Sequence, residues 1–410
     1  MSDQKVKVPF NRACDFVIQL GEAAHGYGSS SARLEAFLSS LMASFGYLGT
    51  VLSTPNGIVF GFQESESQPQ RFHLITSLTT GLDLNKLALV GDLVTDVING
   101  ETNIEEAVLK LREIKKTSAP WGKMASAISF MATGAGIAGV LMGSWYDIAV
   151  AVPLSFLVYI MVIISSGFKT TGADWLPLIA SFIIGILTAF TKVVIPELNI
   201  VLVGVSAIAI LLPGFTISTG AMELVGGNVV SGIINLVSGL VYLLKLVIGG
   251  WVGAKLVISL LSLSAQTGTA PDIAWQWLFV PVFAIGLCLS LQTSTRDFPW
   301  ALAACLIAYL GSFLGSKVFE SSVGTLLGTV ILVVFSNKWT TKTGRPTSIL
   351  LVPGILMLVS GFAGFQGFLS LAEGQIQQGE NQIQHMFLVA ITIGAGLVVG
   401  NTVSRPKVTL

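Results

Sequence analysis

The chain has 410 residues, of which 52% are hydrophobic and only 11% charged. Its mean hydropathy is +0.79 and its formal net charge is zero. A soluble domain carries about 25% charged residues, so this composition excludes an ordinary soluble fold and reads as an integral membrane protein. The balanced charge gives no sign of nucleic acid as a partner. The charges are also segregated, because residues 1–123 hold 24 of the chain's 44. A polar N-terminal domain, residues 1–118, is therefore expected ahead of a membrane domain.

After a tail at 1–9, Asn11 to Tyr27 reads as a helix with Phe16, Val17, Leu20 and Ala24 on one face. The run Gly26-Tyr27-Gly28-Ser29-Ser30 breaks it. Ser31 to Phe45 is a second helix, with Leu34, Phe37, Leu38 and Leu41 on one face, and Gly46 ends it. Strand-like runs follow at 47–53, 57–62 and 71–78. The first two are joined by Thr54-Pro55-Asn56, which is turn chemistry. Helical periodicity returns at 84–99 and 104–115. Asn103 is placed to cap the last helix, with Glu105 and Glu106 in its first turn and Lys115 and Lys116 at its end. The fold class of this domain is α+β.

From Trp121 onward, apolar spans alternate with short polar loops. They fall near 125–142, 147–165, 176–191, 199–213, 229–262, 275–292, 298–315, 321–336, 347–370 and 384–402, ten in all. The fifth is too long to cross upright, and must tilt, break near Gly249-Gly250 or extend beyond the bilayer. Lys and Arg concentrate before the first span, in the even-numbered loops and in the C-terminal tail, which places both termini in the cytoplasm. Met1–Arg12 lacks the apolar stretch of a secretory signal. Ten spans divide into five plus five, at 119–265 and 266–410. Because five is odd, the second half must run inverted relative to the first.

Each half carries a Pro-Gly pair in or at its fourth span, Pro213-Gly214 and Pro353-Gly354. Proline deletes a helix hydrogen bond, and freed backbone groups survive in a bilayer only where protein or a watery cavity satisfies them. Broken helices at matching positions are the sequence mark of a secondary transporter's substrate site. Two unrelated kinks would leave the same trace. The candidate substrate-binding residues are Pro213, Gly214, Ser218, Thr219, Glu223, Asn228 and Ser231 in the first half, with Pro353, Gly354 and Ser360 in the second. Glu223 stands out because an ionisable residue inside a membrane domain is costly. It is a candidate ammonium site and proton-coupling group. Its bland reading is an acid in a loop, and that of the small polar residues is helix-packing glue. Lys245 and Lys255 lie in the fifth span, where snorkelling to an interface explains them.

Little else carries chemistry. Cys14, Cys288 and Cys305 lack metal-ligand spacing, and His25, His73 and His385 are scattered. No metal and no cofactor is expected. The Gly26–Ser31 run lacks the lysine of a phosphate-binding loop and reads as a helix–helix turn. No ATP-binding sequence is present, so an ion or substrate gradient must supply the energy.

Several runs then carry a resemblance. They are LGEAAHGYGSSSARLE from Leu20 to Glu35, Thr54-Pro55-Asn56-Gly57-Ile58, Leu82-Asp83-Leu84-Asn85-Lys86-Leu87, and Gly100 through Glu105-Glu106-Ala107 to Leu111. With Pro213-Gly214 and Pro353-Gly354, their order resembles the threonine/serine exporter family over nearly the whole chain. The resemblance implies an inner-membrane secondary exporter of small amino acids, driven by the proton motive force, with a cytoplasmic domain fused to ten helices. The family carries acidic residues at two places after the first Pro-Gly. Glu223 fits the first, whereas Asn228 stands at the second. Related two-chain members resemble dicarboxylate exporters.

Three functions are therefore carried forward. The first is proton-coupled export of threonine or serine by alternating access, with Glu223 as the ammonium or proton site. The second is efflux of a dicarboxylate such as succinate, for which Lys245 is the main cationic candidate. The third is a membrane-anchored enzyme whose N-terminal domain uses His25, Arg33 and Glu35 in a cleft. That domain shows no recognisable catalytic constellation, so an exporter rather than an enzyme is expected. Expected partners are the small-molecule substrate, the lipid bilayer and protons, and a homo-oligomer is compatible with the sequence.

Overall fold

A computed structural model describes residues 8–76, 81–167, 171–261, 268–359 and 361–405, with 171–173 by backbone alone. Helices α1 (Phe10–Gly26) and α2 (Ser31–Ser44) precede the strands β1 (Leu48–Thr54), β2 (Gly57–Gln63) and β3 (Arg71–Thr76). The strands form one antiparallel sheet in the order β1-β2-β3. Thr54 pairs with Gly57 across the expected Pro55-Asn56 turn. Helices α3 (Leu84–Ile98) and α4 (Ile104–Lys116) follow. Asn103 caps α4 by accepting from Glu106 N at 2.8 Å, and Asp83 caps α3 through Lys86 N at 2.9 Å. The apolar faces of these helices and of β2 enclose one core that contains Phe16, Leu20, Leu34, Leu38, Phe60 and Leu87. Ser77 and Leu78, the end of the third expected strand, lie outside the described residues.

The remainder is helical. It comprises α5 (Gly122–Val140), α6 (Trp145–Ser166), α7 (Thr171–Val194), α8 (Ile200–Ala207), α9 (Gly214–Val225) and α10 (Val229–Leu260). Then come α11 (Gln276–Ser290), α12 (Phe298–Val318), α13 (Ser321–Thr343), α14 (Ser348–Leu358), α15 (Gly361–Ala372) and α16 (Ile376–Val403). Among the described residues, eight helical stretches are long and apolar enough to cross a membrane. The bent pair α8 and α9, which turn by 65°, makes up to nine. Helix α5 has the length of a span without its apolarity, because Gly, Ala, Ser and Thr dominate it. Those small residues let α11 close in. A Cβ on Gly136 would stand 2.5 Å from the Phe283 backbone, and one on Gly286 would stand 2.7 Å from Thr133 N.

Helix α10 runs 32 residues without a break. Of the three ways to accommodate the long fifth span, the break near Gly249-Gly250 is not taken, because the small residues here pack rather than bend. A Cβ on Gly249 would meet Leu178 O at 2.3 Å, and one on Gly253 would meet Phe182 O at 2.2 Å, both on α7. The second Pro-Gly also differs from expectation. Pro353 lies inside α14, which continues through Gly354 to Leu358. One proline removes one hydrogen bond, and α14 is buried on all sides from Ser348 to Ile355, so packing carries the helix past it. The second break instead follows at Val359, whose backbone is extended (φ −71°, ψ 128°).

Seen this way, the two breaks touch. A Cβ on Gly214 would stand 2.5 Å from Val359 Cγ1 and 3.5 Å from Gly361 Cα. Features around them recur 147 residues apart. Gly227 and Gly374 both have positive φ, 89° and 81°, where a side chain would be strained. The following residues, Asn228 and Gln375, begin α10 and α16 with nearly identical backbone angles. A Cβ on Gly220 would press on Gly232 O, just as one on Gly367 would press on Gly379 O. Earlier in each half, Met142 and Gln292 adopt positive φ. Each is followed by a Ser-x-x-Asp turn in which Ser144 bonds Asp147 (2.8 Å) and Ser294 bonds Asp297 (2.7 Å). Packing is reciprocal as well. Helix α9 lies on α10 and α16, and α15 lies on α16 and α10.

The α+β part is docked on the helices. Leu84 N and Asn85 N donate to Leu291 O and Gln292 O, both at 3.0 Å. Buried Arg345 bridges Asp92 of α3, at 2.8 Å, and Asp297 at the start of α12. Of the two pairs only Arg345–Asp297 is buried on both sides, and a pair of that kind costs most when one partner is lost.

Candidate functional site

A cavity of about 320 Å³ lies where the α+β part meets α9, α10 and α14. Its floor comes from the helix after the first break. Glu223, in the last turn of α9, is only 5% exposed. Its Oε2 accepts from Ser231 Oγ at 2.8 Å and Asn235 Nδ2 at 2.7 Å, both from the first turns of α10. Because Ser231 gives its proton to Glu223, Ser31 of α2 donates to Ser231 Oγ at 3.0 Å. A hydrogen-bond chain thus joins the two parts of the molecule at this carboxylate.

The roof comes from the turn between α1 and α2. Gly28 holds φ at 100°, and a Cβ there would press on Leu82. This turn sets Ser29, Ser30 and Ser31 at the cavity wall. Arg33, one turn into α2, donates to Ser348 Oγ of α14 at 3.3 Å. Burial lowers its guanidinium to about 10, still cationic at neutral pH. His25 bonds Thr54 O through Nε2 at 2.9 Å. Burial also lowers the imidazole, against smaller opposing effects of that bond and of Glu223. A neutral ring donating from Nε2 leaves Nδ1 as an acceptor. Glu35 accepts from Ser53 N at 2.7 Å, and burial raises its carboxyl. It ties α2 to the sheet and is not a cavity residue.

Four cavity residues carry a buried polar atom with no protein partner: His25 Nδ1, Ser29 Oγ, Thr219 Oγ1 and Glu223 Oε1. A buried acceptor left unpaired costs about 1–3 kcal/mol, more when charged. Their gathering in one cavity is the signature of a site that a polar ligand completes.

Of the residues singled out in the sequence, Thr219 and Glu223 line this cavity, and Ser231 braces it. Pro213 and Gly214 form the adjacent junction. Ser218 is buried on α9 away from the cavity, and Asn228 starts α10 without reaching it. Pro353 and Gly354 lie within α14, with Gly354 packed on Leu332 rather than at the break. Ser360 lies outside the described residues. Lys245 donates to Asp174 O at 3.1 Å, and Lys255 pairs with Glu373 at 3.6 Å. Neither is near Glu223's cavity. Sequence reading missed Asn235, whose signal was its spacing of four from Ser231 on one helix face. It also gave Ser29 and Ser31 no role beyond a turn.

A second cavity, of about 510 Å³, abuts the other side of the junction and includes Gly214, Val359, Gly361, Gln366, Gln382 and His385. Phe362, Gln366 and Gln382 in this cavity stand 147 residues after Phe215, Thr219 and Asn235 in the first. Gln382 Oε1 is again buried without a protein partner. Among the described residues, no group of three His, Cys, Asp or Glu side chains is placed to hold a metal ion.

A many-helix membrane protein with a cavity holding a buried carboxylate beside a broken helix is the class this geometry defines. Two family models of the threonine/serine exporter ThrE match the chain, one over residues 15–257 and the other over 276–403, and the chain belongs to that family. Among curated proteins it is similar to an uncharacterised protein of Schizosaccharomyces pombe, with 25% identity over 87% of this chain and 48% of that protein. It is also similar to pheromone-regulated membrane protein 10 of Candida albicans, with 25% identity over 87% of this chain and 33% of that protein. The same-named protein of Candida glabrata is 23% identical over 90% and 48%. The chain thus spans less than half the length of these relatives. No solved structure matches it.

Proposed function

We propose that the chain exports small amino acids such as threonine or serine across the cytoplasmic membrane, driven by the proton motive force. The observation that carries this reading is Glu223. It is a buried carboxylate with one braced and one unpartnered oxygen, facing a cavity beside a broken helix. The free oxygen suits an ammonium group, or a proton when the site is empty.

Transport proceeds by alternating access around the junction of Gly214 with Val359 and Gly361. Ten spans make two inverted five-helix repeats at 119–265 and 266–410, with α8/α9 and α14/α15 as the broken fourth members. The recurrences at 147 and 150 residues and the reciprocal packing of α9 and α15 support that division. The two cavities are then related by the repeat, one serving each face of the membrane. The α+β part, residues 1–118, lies in the cytoplasm with both termini, as the distribution of Lys and Arg favours.

Dicarboxylate efflux is the weaker reading, because Lys245 is remote and Glu223 would repel a second carboxylate. Efflux from proteoliposomes loaded with labelled threonine, serine or succinate decides between them. Threonine or serine efflux stimulated by a pH gradient is expected, and efflux of succinate alone would refute the amino-acid reading.

A further inference from the structure

We propose that the N-terminal α+β part forms half of the substrate site. Arg33 and the N-terminal turn of α2 take the carboxylate of an α-amino acid whose ammonium rests on Glu223. This deepens the exporter reading and rests on it.

Three observations carry the assignment. First, the cavity has two poles. Glu223 supplies an unpartnered carboxylate oxygen, and Arg33 supplies a cation held to the opposite part of the molecule. Second, the cationic pole is built from more than one charge. Ser30 precedes α2 in extended conformation and its side chain does not cap the helix, so the first amides of α2 are left without a capping hydroxyl. Ser29, Ser30 and Ser31 bring that N-terminus to the cavity wall, and the α14 N-terminus arrives beside it at Ser348. The α2 N-terminus and a guanidinium together favour an anion, and the planar fork of arginine fits a carboxylate in two-point contact. Third, the buried hydroxyl of Ser29, only 8% exposed, is left without a protein partner at this same pole.

A zwitterion satisfies both poles together, whereas a dianion would set a carboxylate against Glu223. The lone pair of His25 Nδ1 and the free hydroxyl of Thr219 remain for a side-chain hydroxyl on the ligand. At about 320 Å³ the cavity sits at the lower end of the ~300–1,000 Å³ of small-molecule sites, as a small amino acid requires. Because the α+β part supplies one wall, the site exists only while that part is docked. Each transport cycle then includes a step in which the wall yields.

The test is equilibrium binding to the full-length protein in lipid nanodiscs, with three probes. Threonine carries both groups. Threoninol keeps the ammonium and replaces the carboxylate with an alcohol. 3-Hydroxybutyrate keeps the carboxylate and lacks the ammonium. The wild type is expected to bind threonine at least about tenfold more tightly than either analogue, since each lost charge-assisted contact is worth a factor of ten or more. Arg33→Gln lowers threonine affinity to that of threoninol while threoninol binding is unchanged, which also reports that the variant is folded. Arg33→Lys keeps the charge without the fork and recovers part of the loss. Unchanged threonine binding in Arg33→Gln overturns the proposal and leaves the exporter reading standing. Equal loss of threonine and threoninol binding in both Arg33 variants assigns Arg33 a structural role and also overturns it. A folded wild type that binds none of the probes overturns both readings.

Discussion

His25 and Glu35 show how burial sets the chemistry of single residues. The imidazole is lowered from its ordinary 6.5, mainly by burial, so the unfolded chain binds its proton more readily than the folded one. Its contribution to stability is therefore complete above about pH 6.5 and is lost as the pH falls through that value. Glu35 works in the opposite sense, since its raised carboxyl favours the folded state on acidification. Comparison with His25→Gln isolates the histidine. The melting temperature of the wild type should fall more steeply between pH 7.5 and 5 than that of the variant. Parallel curves would remove His25 from the account. Glu223 was legible in the sequence because a carboxylate amid apolar helix needs a reason. Arg33 was not legible as its companion, because only tertiary packing brings residue 33 to residue 223.

At the scale of elements, the N-terminal helices, the strands and the Asn103 cap follow from periodicity and turn chemistry, whereas the Asp83 cap emerges only in the structure. The Pro-Gly pairs mislead in part. Pro213 does sit at a break, but Pro353 lies inside a helix, and the counterpart of Gly214 by packing is Gly361. Pro213-Gly214 and Pro353-Gly354 stand 140 residues apart, whereas the Gly227 and Gly374 turns and the close glycine contacts recur at 147 and the earlier Ser-x-x-Asp turns at 150. A proline's cost depends on what surrounds the freed carbonyl, which a sequence does not state. The glycines of α10 teach the same lesson, since Gly249-Gly250 offers a break as one of three options in the sequence, while the glycines on this helix act as a packing groove. Gly253→Ala would put a methyl 2.2 Å from Phe182 O, where backbone must give way. Overpacking of this kind costs about 1–3 kcal/mol. Thermal unfolding of the full chain should show that loss, and an unchanged midpoint would mean that α7 and α10 are not held at this spacing.

The whole molecule couples a small α+β part to a bundle of apolar helices through three kinds of contact. Backbone bonds join α3 to the loop after α11, and the Arg345 bridge ties α3 to α12. The Ser31–Ser231–Glu223 chain ends at the proposed site. Composition and charge made the two parts legible, but not that a cavity lies between them, since neither part encloses it alone. In the proposed function Glu223 is the group that senses ammonium and proton. The most direct measurement is threonine efflux from proteoliposomes, with and without an imposed pH gradient, for wild type and Glu223→Gln of matched folding. Loss of gradient-stimulated efflux in the variant is the predicted result, and efflux equal to wild type would contradict the central claim.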